Sequence, residues 1–225
     1  LGHTPFGHAG ELVMRECYDP SFTHYKQSVR VVEFLENDGK GLNLTKEVRD
    51  GILNHAGDCV AKTLEGRIIK FADRIAYINH DIDDACRAGI LTLDDIPKDI
   101  LDTVGRRHGE RINTMVTAVI DASRDKPDIS ITPDVGDAMS RLREFLFEAV
   151  YRNPKAKGEE TKAKHMLHQL FDYFVSHPEE MPEFYFKNTE NDSVERCVCD
   201  YISGMTDRYA IDTYKSKFIP SVWQT

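Results

Sequence analysis

The sequence has little that would build a β-sheet. Alternating Val, Ile and Thr runs between turn pairs are few, and glycine and proline punctuate it sparsely, at 14 and 9 of 225 residues. No stretch approaches the roughly 18 apolar residues that a membrane span needs, so no membrane partner is expected. A charged segment followed by an apolar one is missing at the start, so a signal peptide is not expected there. The cysteines Cys17, Cys59, Cys86, Cys197 and Cys199 form an odd set without CxxC. That spacing speaks against a zinc site or a disulfide framework and for a reducing, cytoplasmic compartment. Basic charge is also short: 29 Lys and Arg stand against 38 Asp and Glu, a net charge of −9. A surface that coats nucleic acid is therefore not expected, although a local basic patch stays open. Neither HExxH nor a P-loop occurs.

What is present is a helical pattern on an ordinary globular composition, 40% hydrophobic and 30% charged. Gln27–Asn37 places Val31, Phe34 and Leu35 at helical spacing. Thr45 reads as the N-cap of a helix through Asp50. Residues 64–88 form the longest periodic segment, with Ile68, Ile69, Ala72, Ile75, Ala76, Ile78 and Ile82 as an apolar stripe and Gly89 as its stop. Residues 100–122, 134–151, 166–175 and 192–214 are also periodic, whereas 125–133 reads as a linker with a short extended piece and 153–164 as a polar loop at its start. The expected fold class is all-α.

The chain opens at Leu1 without Met, within a His-rich motif, so the expectation is an N-terminal portion outside this chain. Residues 1–11, LGHTPFGHAGE, hold His3, His8 and Glu11. His8 and Glu11 are three apart and share a helical face, after a Gly-Pro-Gly turn. Such a group could bind metal, move protons or contact phosphate; a His-rich surface loop is the plain alternative. His24 precedes a helix, where a cap or a packed residue is commoner than a catalyst. Asp73, Tyr77, His80 and Asp81 lie at helical offsets along one face. Apolar residues on the other faces predict a buried helix whose carboxylates need partners, either Arg67 and Arg74 or a cation.

These segments together resemble one family. LGHTPFGHAGE, His24-x-x-Gln27-Ser28, GLNLTKEVRDGILNH (41–55), ADRIAYINHDIDDA (72–85) and DYISGMTDRYA (200–210) occur in that order. They resemble the dGTPase-like dNTP triphosphohydrolases of the HD superfamily, over about residues 1–215. The resemblance implies a multi-helix HD-domain bundle with additional C-terminal helices: residues 1–124 as the C-terminal part of the HD catalytic core, and 125–225 as a helical region packing on it. It implies hydrolysis of a dNTP, with dGTP as the default substrate, to deoxynucleoside and inorganic triphosphate. It also implies a divalent metal (Mn, Mg, Fe, Co or Ni), a homotetramer or homohexamer, and room for a nucleotide effector. Of the family's four protein metal ligands, Asp73 matches the last. The first His and the His-Asp pair would lie before Leu1.

By the same resemblance, His3 and His8 match histidines that line the catalytic pocket and contact phosphate. His24 matches a histidine near the attacked phosphorus, and Glu11 the acid that pairs with it. Arg74 and Arg143 match phosphate-binding residues. Tyr77 and Tyr151 match aromatics at the sugar, and Asp81 a carboxylate that accepts from the 3′-OH. The residue types suit the chemistry. A triphosphate on an acidic protein needs local cations. Water attack at the α-phosphate, with His24 as the acid–base group, frees triphosphate intact. Tyr77 against C2′ would disfavour a ribose, and a site that bonds a hydroxyl rejects substrates lacking it. The DYISGMTDRYA segment reads as structural, with Asp207 and Arg208 as a pair. His165 and His168 read as part of a solvated face. The alternative reading of the whole is a regulatory HD protein that binds dNTP or single-stranded nucleic acid without turnover.

Overall fold

The computed structural model describes residues 1–151 and 153–220. Among them no strand occurs, and the expected all-α class is what the structure shows. The chain forms two compact units, Leu1–Thr45 with Glu159–Thr225, and Lys46–Gly158. Residues 125–133 fall inside the second unit; 125–132 run as an irregular loop without an extended strand, and Pro133 begins a helix. No helix among the described residues is long and apolar enough to cross a membrane.

The first unit begins with a turn into α1 (His8–Cys17). Next comes α2 (His24–Arg30), which continues as a π-helical turn over Val31–Leu35. A single turn, α3 (Glu36–Gly39), is broken by left-handed Asn37 and Asp38. The periodicity read through Asn37 therefore ends as α-helix at Arg30. The unit is completed by most of α9 (Pro154–Ser176), then α10 (Glu183–Asn188), α11 (Val194–Ser203) and α12 (Asp207–Phe218). Its core joins Val13 and Met14 of α1 to Leu167, Leu170, Phe171 and Phe174 of α9 and to Val198 and Ile202 of α11. Ser193 and Thr206 cap α11 and α12 by accepting from the Arg196 and Tyr209 backbone N–H groups. The loop expected from 153 is helix instead. Pro154 at its first turn has a φ already suited to helix, and the Lys, Ala and Glu residues that follow favour it.

The second unit comprises α4 (Lys46–Leu53), α5 (Leu64–Arg87), α6 (Lys98–Val104), α7 (His108–Ser123) and α8 (Pro133–Leu146). Thr63 caps α5 by accepting from the Gly66 N–H at 3.1 Å, and left-handed Gly89 (φ 63°) follows its end, the latter as the sequence suggests. Ile75, Ile78 and Ile82 of α5 meet Met115 of α7 and Met139 and Leu142 of α8 in one core. Burying each such side chain is worth about 1.5–3 kcal/mol.

The expectation that α5 is buried on most sides is not met. Ile68 and Ile69 stay 46% and 51% exposed, and Ala72 and Ala76 are exposed as well. Only the face carrying Ile75, Ile78 and Ile82 enters the core of the unit. The sequence period marks apolar residues, but α7 and α8 cover one side.

Candidate active site

In the first unit the site starts from a strained turn. Phe6 and Gly7 adopt left-handed backbone (φ 59° and 57°), and the Thr4 hydroxyl donates to the Gly7 carbonyl at 3.0 Å. Two glycines let this turn lie close to its neighbours. A Cβ on Gly10 would stand 2.1 Å from the Pro5 oxygen, and one on Gly2 would stand 2.2 Å from the Ser28 nitrogen. The turn thus lies against both α1 and α2.

On α1, Glu11 is buried and points to α2. Its Oε2 lies 2.7 Å from His24 Nδ1 and accepts the His24 backbone N–H at 3.2 Å. Its Oε1 accepts from the Arg15 guanidinium. An ionised carboxylate can only accept, so Nδ1 carries the hydrogen, and Nε2 is the nitrogen whose proton can change. Burial alone would raise the Glu11 pKa. The His24 side-chain and backbone hydrogen bonds, then the charges of His24 and Arg15, outweigh burial and hold the carboxyl below its ordinary value.

The His3 and His24 rings stand 5.4 Å apart, centroid to centroid, at 55°. His3 keeps an exposed edge, yet desolvation by its surroundings lowers its pKa, and the nearby His24 adds to the effect. His8 begins α1 and is exposed, whereas Glu11 turns inward. The two do not share a facing, despite their spacing of three. His3, Glu11 and His24 are therefore brought together, and His8 stands near enough to His3 to act on it by charge.

The second unit presents a different set. Asp73, Tyr77 and His80 lie exposed along α5, and Arg74 and Asp81 are half-buried on the same helix. The suggested pairing of this helix's carboxylates with Arg67 is not found: Arg67 donates to Asp128 at 2.8 Å and to the Ala61 carbonyl. Arg143 is exposed in the last turn of α8. Tyr151 ends the π-helical turn that follows, and its side chain lies outside the described residues. What fixes α5 is a residue that the sequence pattern did not reveal. Arg111 of α7 is 1% exposed and donates to Asn79 Oδ1 at 2.9 Å, to the Arg106 carbonyl at 2.7 Å and to Asp83 at 3.2 Å. An arginine within a periodic helix carries no sign that it points inward.

Among the described residues no group of three or more His, Cys, Asp or Glu is spaced to hold a metal ion. Asp73 by itself does not make a metal site in this chain. Elsewhere in the first unit, His168 is not simply solvated. Its Nδ1 lies 3.0 Å from Cys17 Sγ, and its Nε2 lies 2.9 Å from Glu16 Oε2. Burial and the adjacent Asp172 and Glu16 push the Cys17 thiol up to about 11. Asp207 and Arg208 do not pair with each other: Asp207 accepts from the Phe6 N–H at 2.9 Å, and Arg208 lies 3.8 Å from Asp212.

Residues 129–216 match the model of the phosphohydrolase-associated domain. The deoxyguanosinetriphosphate triphosphohydrolase-like protein of Caldanaerobacter subterraneus is 52% identical over 223 residues, 99% of this chain and 66% of the relative. The protein of that name from Clostridium perfringens strain 13 is 43% identical over 229 residues, 98% of this chain and 67% of the relative. That from Desulfatibacillum aliphaticivorans is 41% identical, with 98% and 68% covered. The chain spans about two thirds of the length of these relatives. Matches of this identity along nearly the whole chain establish that it belongs to the family of deoxyguanosinetriphosphate triphosphohydrolase-like proteins.

Proposed function

We propose that this protein hydrolyses a deoxynucleoside triphosphate, dGTP first among them, to the deoxynucleoside and inorganic triphosphate. The observation that carries the reading is the Glu11–His24 pair with His3 beside it. Glu11 holds His24 through Nδ1–H and stabilises the imidazolium form. In that form Nε2–H is the general acid. Water adds to the α-phosphorus and gives up a proton to solvent, the bond from phosphorus to the 5′ oxygen breaks, and that oxygen leaves as a hydroxyl with the proton from Nε2, which solvent then restores. The water oxygen stays on the triphosphate. His3 and His8 supply hydrogen bonds toward phosphate oxygens.

The α5 residues take the remaining parts of the reading. Arg74, and Arg143 on α8, offer guanidinium groups to phosphate. Tyr77 takes the sugar at C2′, and Asp81 accepts from the 3′-OH. Tyr151 is assigned to the sugar from the family resemblance. A divalent metal with Asp73 among its ligands belongs to the proposal on the same ground. Since Asp73 alone does not make a metal site among the described residues, no step is derived through it. A cytoplasmic homotetramer or homohexamer, with a nucleotide effector, completes the proposal.

The test is full-length protein incubated with each dNTP and with GTP, in Mn²⁺ or in chelator, with products resolved by chromatography. Deoxynucleoside and intact triphosphate are the expected products, lost in chelator and in Asp73→Ala. Nucleoside monophosphate with pyrophosphate would overturn the assigned bond cleavage. Nucleotide binding without turnover would replace the reading with that of a regulatory module.

A further inference from the structure

Two sequence segments that the proposed chemistry leaves unused, Gln27-Ser28 and Asp200–Ala210, grip the turn and the helix that carry His3 and His24. Ser28 is buried, and its hydroxyl reaches both the Leu1 carbonyl and, at 2.8 Å, the His24 carbonyl. That fixes the start of the turn on α2. Gln27 donates to the buried Asp200 of α11 at 2.7 Å, and Arg30 donates to the same carboxylate at 2.8 Å. The far end of the turn is held from α12, where Asp207 Oδ1 accepts the Phe6 N–H at 2.9 Å.

Phe6 is left-handed, a conformation that a residue with a side chain rarely adopts and that needs outside support. Asp207 is well placed to give that support. It is the first residue of α12, behind the Thr206 cap, and that helix is anchored by fully buried Ala210. The Phe6 amide meets the exposed Asp207 carboxylate at the start of that helix.

We infer that Asp207 is a positioning residue: by accepting from the Phe6 N–H it keeps the Thr4–Gly7 turn left-handed and so sets the His3 ring against His24. Its effect on turnover rests on the function proposed above, but its effect on the histidine geometry does not. Asp207→Asn keeps an oxygen acceptor, whereas Asp207→Ala removes it. Arg208→Ala alters an exposed neighbour outside this contact and serves as the control.

The experiment uses full-length protein and three readouts: kcat and KM for dGTP, the thermal midpoint, and the His3 ring resonances in a histidine-labelled NMR spectrum. The His24 ring at 5.4 Å gives His3 a distinctive ring-current environment. Asp207→Ala is expected to lower kcat about tenfold with KM within about twofold, as a small misplacement of a group that contacts the reacting phosphate does. It is also expected to displace the His3 resonances, while Asp207→Asn and Arg208→Ala match the wild type. Unchanged kcat and His3 resonances in Asp207→Ala would overturn the inference. So would an Asp207→Asn variant that fails like Asp207→Ala with an equal drop in thermal midpoint, since Asp207 would then only hold the fold. If wild-type protein hydrolyses no dNTP, the proposed function falls, and the His3 resonances alone decide the positioning role.

Discussion

Replacing Glu11 by Gln tests the pair on which the proposed chemistry turns. The carboxylate makes two contacts to one residue, 2.7 Å to His24 Nδ1 and 3.2 Å to its backbone N–H. Glutamine retains one oxygen, which can accept from the backbone N–H, and the helix contact survives. The negative charge facing Nδ1–H is lost, and the side-chain amide offers a donor where an acceptor stood. A hydrogen bond to a charged group is worth about 1.5–3 kcal/mol net. If that stabilises the imidazolium in the transition state, kcat falls about 10- to 150-fold, and the thermal midpoint at neutral pH falls with the lost carboxylate contacts. The assay is steady-state dGTP hydrolysis by full-length Glu11→Gln, with melting curves on the same samples. A folded variant with kcat within twofold of wild type would refute the reasoning, because Glu11 would then not act through His24. The pair also links to stability. The Glu11 pKa is depressed in the folded protein, so its stabilisation is complete above the ordinary carboxylate value, about 4.3, and is lost as pH falls through the lower folded value. In Glu11→Gln the acid limb of a pH-dependent melting series should flatten.

Three further outcomes follow from the geometry. Gly10→Ala places a methyl 2.1 Å from the Pro5 carbonyl oxygen and should cost about 1–3 kcal/mol in denaturant unfolding, with dGTP turnover falling as the turn is displaced. Arg111→Met strips Asn79 and Asp83 of a buried partner and should destabilise by about 3 kcal/mol, less if half-buried Asp83 recovers water; urea unfolding measures it. The Cys17 thiol, held near 11, should alkylate slowly at pH 7.5 and still be accelerating at pH 10; iodoacetamide labelling followed by peptide mass spectrometry would instead level off as pH passes about 9 if the residue were an ordinary thiol.

Local signals were legible in the sequence. Gly89 closes α5 as its stop because a left-handed glycine acts within a few residues. The all-α class followed from periodicity for the same reason. The two-sided reading of α5 failed at Ile68 and Ile69, since a period cannot tell which apolar residues a neighbouring helix covers. In the candidate site, His3, Glu11 and His24 were named from ordered motifs, and only the fold shows Glu11 turned inward and His8 left exposed. Arg111 escaped notice, and Asp207 was paired with its neighbour Arg208, because the true partners are remote: Phe6 and Asp207 are 201 residues apart. No spacing rule spans such a distance.

That separation has a consequence for biosynthesis. The unit holding Glu11 and His24 is built from two ends of the chain, whereas the other unit is one continuous stretch, Lys46–Gly158. At about 5–20 residues per second, a ribosome that has made Phe6 needs roughly 10–40 s more to make Asp207. Closing so long a loop is slow compared with local helix formation. The continuous unit can therefore fold while synthesis proceeds, but the Phe6–Asp207 clamp on the His3 turn can close only once Asp207 has been made, 201 residues after Phe6.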